Sequence, residues 1–157
     1  MLERQKARQL GGSAMKYKTM KYKVEKIDFW SGEVRDAIGG LAAALAPVVD
    51  AGTNFAFVIA RRQPDKPGTG HVFFTGVTGA KQTKAAKAAG FVKADLPGLR
   101  VEAADKPGTT ETIVTRMAEA GINLRGVTVS GAGGKCSVIL AFDSTKDRDR
   151  AAKLLRG

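Results

Sequence analysis

The sequence predicts an α+β protein made of two βαββαβ units, each an antiparallel sheet with both helices on one face. Three observations carry that prediction. Residues 36–58 (DAIGGLAAALAPVVDAGTNFAFV) and 105–127 (DKPGTTETIVTRMAEAGINLRGV) align without a gap at an offset of 69. Both copies begin with Asp, place Gly three residues later, continue as an apolar helical stretch and close on Ala-Gly-x-Asn. At an offset of 66, Lys84-Ala85-Ala86-Lys87 falls on Arg150-Ala151-Ala152-Lys153, so the first copy carries three extra residues between its second and third strands. A loop accepts such an insertion at small cost. Strand and helix patterns also follow in the same order in both copies, as a duplicated unit requires.

Residues 22–29 alternate apolar and charged side chains (Tyr22, Lys23, Val24, Glu25), the pattern of a half-buried strand. Gly39-Gly40 opens a helix with Leu41, Leu45, Val48 and Val49 on its apolar face. Pro47 lies inside it and removes one backbone donor, so a kink or break is expected there. Gly52 is expected to end the helix as a left-handed cap. Strands follow over 54–62 and 70–77, then a helix over 81–89 and a short strand over 91–94. Residues 99–104 start the second unit, and a helix over 109–120 buries Ile113, Val114 and Met117. Strands over 124–130 and 136–142 form a hairpin around Gly131-Ala132-Gly133-Gly134, where glycine supplies the positive φ of a tight turn. A helix over 146–155 closes the chain. The order is the ferredoxin-like plan in both units, but the second runs out of chain before its fourth strand. That open sheet edge must be covered by the N-terminal segment or by a partner subunit. The expected domains are a basic extension without fixed structure over 1–19, a first unit over 20–95 and a second over 96–157.

Each unit is small enough to be marginal alone, so the two pack together or the protein dimerises. The formal net charge is +11, but residues 1–26 hold eight Lys or Arg against two Glu, while the rest of the chain holds 18 against 13. Just over half of the excess sits on an arm, and a charge run is usually a solvated one. Met15 and Met20 are alternative starts and Gly11-Gly12-Ser13 reads as a linker, so part of the arm is expected to be an upstream extension or a vector-derived scar. No apolar run approaches the roughly 20 residues that span a membrane. Cys136 is the sole cysteine, which excludes an internal disulfide and fits a reducing cytoplasm.

A βαββαβ unit with Asp105-Lys106-Pro107-Gly108 before its first helix, Ala120-Gly121-Ile122-Asn123 after it and then Gly126-Val127 resembles an ACT domain. The first copy resembles it more loosely, with Ala37-Ile38 in place of Lys-Pro. The two copies span about residues 22–156. The resemblance implies a free-standing tandem protein that is not an enzyme and regulates by binding a small molecule, an amino acid, at a unit or subunit interface. It also implies a homodimer and a partner enzyme or regulator that reads the bound state, with no cofactor and no metal. Carried over by position, the ligand-binding residues are Asp105, Gly108, Thr109 and Asn123, with Asp36, Gly39, Gly40 and Asn54 in the first copy. The second loop keeps the fuller motif and is the favoured one. The chemistry of these residues agrees. Glycine lets a ligand approach free N–H groups at a helix start, Asp suits an ammonium group, and Asn both donates and accepts. The same residues also suit purely local roles as caps and turns.

Other motifs carry less. Asp65-Lys66-Pro67-Gly68-Thr69 repeats residues 105–109 letter for letter but precedes a strand, so it reads as a surface turn. Gly133-Gly134-Lys135 lacks the first glycine and the Ser or Thr of a phosphate loop. His71 and Cys136 are single, and the acidic residues are scattered, so neither a zinc set nor an acid–base pair assembles. The alternative function is RNA or DNA binding by a ferredoxin-like sheet and the basic arm, with a ligand-free dimerisation module as a third reading. Gly70-His71-Val72-Phe73-Phe74 faintly resembles an aromatic RNA-binding stripe, but the second copy has Ser137-Val138-Ile139-Leu140, so a core role is expected for Phe73 or Phe74 and nucleic acid is disfavoured.

Overall fold

The computed structural model describes residues 21–157, so the arm expected over 1–19 lies outside the described residues. Among the described residues, six strands and four helices follow in the order β1 (Lys23–Arg35), α1 (Gly40–Asp50), β2 (Phe57–Arg62), β3 (Thr69–Thr75), α2 (Gly79–Ala88), β4 (Val92–Ala104), α3 (Thr109–Glu119), β5 (Gly126–Ala132), β6 (Lys135–Ala141) and α4 (Thr145–Arg156). They form two compact units, Ile27–Gly98 and Leu99–Gly157 with residues 21–26. The cut therefore falls inside β1 and β4, each 13 residues long.

In the first unit the strands lie in the order β2-β3-β1-β4, which is the ferredoxin-like arrangement. β1 runs antiparallel to β3 with Trp30 opposite Phe74, and β2 runs antiparallel to β3 with Ile59 opposite Phe73. The core is Trp30, Val48, Val72, Phe74, Ala86 and Phe91, with Phe74 meeting Phe55 and Phe91 edge-on at centroid distances of 5.1 and 4.9 Å. Phe74 is thus the core residue of the pair, while Phe73 is half-buried beside His71, ring centroids 4.7 Å apart. Two glycines make room for aromatic rings. A Cβ at Gly32 would stand 2.6 Å from Cδ1 of Phe91, and one at Gly98 would stand 2.5 Å from Cε2 of Phe29.

The helix α1 runs through Pro47 without a break. Pro47 is exposed, so water can satisfy the carbonyl that loses its donor. The buried side of α1 also differs from the expected one. Val48 is fully buried and Ala44 and Leu45 pack beside it, while Leu41 and Val49 are exposed. A helix that is apolar nearly all round gives no periodicity from which to choose a face.

In the second unit the order is β1-β4-β6-β5, again ferredoxin-like, and the first residues of β1 act as its fourth strand. The open edge is covered by the chain's own N-terminal side: Val24 joins the core of Leu99, Val101, Ile113, Met117, Val138, Leu140 and Phe142. Thr109 and Thr112 are buried on α3 with Ile113 and Met117, and Val114 is only half-buried. Residues 99–104 do not start a new strand after Pro97-Gly98 but continue β4 through it. The hairpin joining β5 and β6 turns on Gly133 and Gly134, both at positive φ, between the paired residues Ala132 and Lys135. Two consecutive positive φ values are the mark of a type I′ turn.

Three helices end alike. Gly52, Gly90 and Gly121 sit at positive φ, and each donates to the carbonyl three residues back, with the next residue donating five back. These are Schellman motifs, and they explain the Ala-Gly-x element of the repeat, since x is the buried residue that follows the cap. Thr53 and Ile122 hold equivalent places, both buried, yet Oγ1 of Thr53 has no hydrogen-bond partner among the described residues. Thr53→Val keeps the shape and removes the orphaned hydroxyl. It should raise the free energy of unfolding by about 1–2 kcal/mol, read as a higher urea midpoint at unchanged slope.

Candidate functional site

The loop before the first helix has the same backbone in both units. The N–H of Asp36 donates to the carbonyl of Gly68 at 3.0 Å, and that of Asp105 to Gly134 at 3.0 Å. Gly39 (φ 77°) and Gly108 (φ 88°) precede the helices in the left-handed region, where glycine is strain-free. The N–H of Gly40 then donates to Ala37 at 2.9 Å and that of Thr109 to Lys106 at 3.1 Å. The aspartates, glycines and helix starts singled out from the sequence are therefore brought together in each unit.

The side chains differ. In the first unit the carboxylate of Asp36 accepts from Nε of Arg62 at 3.1 and 3.0 Å. Arg62 has Gly131 as its counterpart in the repeat, and there the carboxylate of Asp105 occupies the space itself. A Cβ on Gly131 would come within 2.6 Å of Oδ2 of Asp105. The carboxylate also faces Cys136, whose thiol is pushed up by burial and, to a lesser extent, by Asp105. Thr109 is buried and its Oγ1 donates to the carbonyl of Ala104 at 3.0 Å, whereas at Gly40 a Cβ would collide with the carbonyl of Arg35. A space of about 190 Å³ remains at the first loop, with Asp36, Ala37, Leu41, Ala60, Arg62 and Val34 among its walls.

Asn54 and Asn123 are exposed and have no side-chain hydrogen bond among the described residues. Each follows the C-terminal cap of an 11-residue helix, about 16 Å from the loop at its other end. Within one unit, no single amino acid reaches both. Arg62 was not among the residues the sequence singled out, although carrying the gapless alignment four residues further would have set it over Gly131, opposite the repeated aspartates. Among the described residues, no group of three or more His, Cys, Asp or Glu could hold a metal ion, and no helix is long and apolar enough to cross a membrane.

No protein-family model matches the chain, and no curated protein matches it. Solved structures do. The protein BT0572 from Bacteroides thetaiotaomicron superposes with a TM-score of 0.67 at 13% identity, over 84% of this chain and 88% of that one. The ligand-free regulatory subunit of aspartate kinase from Thermus thermophilus gives 0.60 at 13% identity, over 87% and 95% of the two chains. The corresponding subunit from Thermus flavus gives 0.57 at 13% identity, over 87% and 94%. The fold is ACT-like. At these identities the likeness speaks for the fold alone, and it covers almost the full length of each of these neighbours.

Proposed function

We propose that this ACT-like protein is a non-catalytic regulator that binds a free amino acid at the loop of its first unit, around Asp36, Gly39, Gly40 and Arg62. The observation that carries the reading is the Asp36–Arg62 pair beside a space of about 190 Å³. At about 30 Å³ per water, that space holds about six waters, the scale of an amino acid and not of a nucleotide. A zwitterion replaces the pair with two others, its ammonium against Asp36 and its carboxylate against Arg62, and the planar fork of arginine suits a carboxylate. The names of the Thermus neighbours, which are regulatory subunits, support a regulatory role over a catalytic one.

The second loop is the weaker candidate on geometry, because Asp105 packs onto Gly131 and Thr109 is committed to Ala104. Its residues Asp105, Gly108 and Thr109 have local structural duties there, and Asn54 and Asn123 remain open to a contact from another molecule. The reading extends to a cytoplasmic homodimer whose ligand state is read by a partner enzyme or regulator.

The test is a thermal-shift screen of the twenty amino acids. A true ligand at about 100 times its Kd stabilises the folded state by about 2.7 kcal/mol, and Asp36→Asn should remove the shift. No shift with any amino acid, or a shift untouched by Asp36→Asn, would count against the first loop as the site.

A further inference from the structure

The first unit holds a second, larger cleft of about 570 Å³ beside α2, β1 and β4. Trp30 and Val77 form its apolar part, Thr83 brings a hydroxyl, Thr78 brings one that donates to Oε1 of Gln82 at 3.3 Å, and Lys87 and Lys93 bring ammonium groups. Gly79, Thr83 and Lys87 recur every four residues, so they form one row along α2 that faces the cleft. Nothing lies within 4 Å of where a Cβ of Gly79 would stand, which leaves the backbone bare. Asp28 is the one carboxylate in the lining, and Lys93 already engages it at 2.8 Å. Lys87 has no ion-pair partner among the described residues, and α2 carries three lysines and no acidic residue. The cleft therefore has a positive excess that the described residues do not offset.

We propose that this cleft binds a phosphorylated small metabolite, a phosphate monoester held by Lys87 and Lys93 with the Thr83 hydroxyl against its oxygens. Lysine ammoniums and hydroxyls are point donors that surround a tetrahedral anion, and the lining offers no guanidinium fork for a planar carboxylate. The volume lies in the range of roughly 300–1,000 Å³ usual for small-molecule sites. The cleft shares no lining residue with the space at Asp36, so it does not depend on the amino-acid reading.

Trp30 is the only tryptophan in the chain and lines the cleft, so its emission reports occupancy directly. The full chain is titrated with ribose 5-phosphate and glucose 6-phosphate, with inorganic phosphate and the two free sugars as controls. A saturable change with at least one ester is expected, about tenfold weaker in Lys87→Gln, weakened by salt and retained in Asp36→Asn. Lys87 is exposed, so its replacement leaves the core intact. The proposal is overturned by the absence of a saturable change up to about 10 mM ester, by equal affinity in Lys87→Gln, or by a response to inorganic phosphate only.

Discussion

Phe74→Ala should cost the first unit about 3–5 kcal/mol, read as a strongly lowered urea midpoint. Phe74 has no solvent exposure and its ring is held edge-on by Phe55 on one side and Phe91 on another. Truncation removes the transfer energy of a whole ring and two aromatic contacts, and leaves a cavity that a sheet residue cannot collapse. A small domain has only about 5–15 kcal/mol to lose, so one such change takes a large share. Trp30 belongs to the same core, and its fluorescence during urea unfolding therefore follows this unit. A loss below about 1 kcal/mol would mean that the three rings do not pack as described.

Gly40→Ala should abolish the ligand-induced thermal shift while the protein stays folded. The added Cβ would collide with the carbonyl of Arg35, so residues 36–39 must shift, and Asp36 moves away from Arg62 with them. Overpacking of this kind typically costs about 1–3 kcal/mol, and a displaced contact costs the ligand affinity as well. The second unit supplies the control, because the equivalent Thr109 already has a Cβ. Thr109→Ala should cost about 1–2 kcal/mol through its lost buried hydrogen bond to Ala104 and leave ligand binding unchanged. Loss of binding in Thr109→Ala with retention in Gly40→Ala would move the site to the second loop.

How much could be read from residue order differs by element. The duplication shows as one pattern recurring at an offset of 69, and the helices and the hairpin at Gly133-Gly134 are visible because each depends on residues a few positions apart. The Gly52 cap is the clearest case, because the Gly that leaves the helix and the buried Thr53 after it are adjacent. The resemblance to ACT domains rests on the same local signals, and its fold is borne out at 13% identity to the neighbours. At the candidate site the loop residues were legible and their partners were not. Asp36 and Asp105 look alike in the sequence, yet one meets an arginine and the other a bare glycine.

Strands resisted for a related reason. Pro97-Gly98 reads as punctuation, but Gly98 is there to admit the ring of Phe29, and β4 passes straight through. β1 likewise continues to Arg35, well past the end of its alternating pattern, because strand length is set by the neighbours it pairs with. Local order along the chain was thus sufficient for the repeated order of strands and helices, the Gly52 cap and the matching loops. Tertiary structure alone assigned residues 23–26 to the second unit as its missing strand and set Arg62 against Asp36. Both outcomes join residues far apart in sequence, 26 positions in the case of that pair, and such contacts leave no trace in local pattern until the sheet has formed.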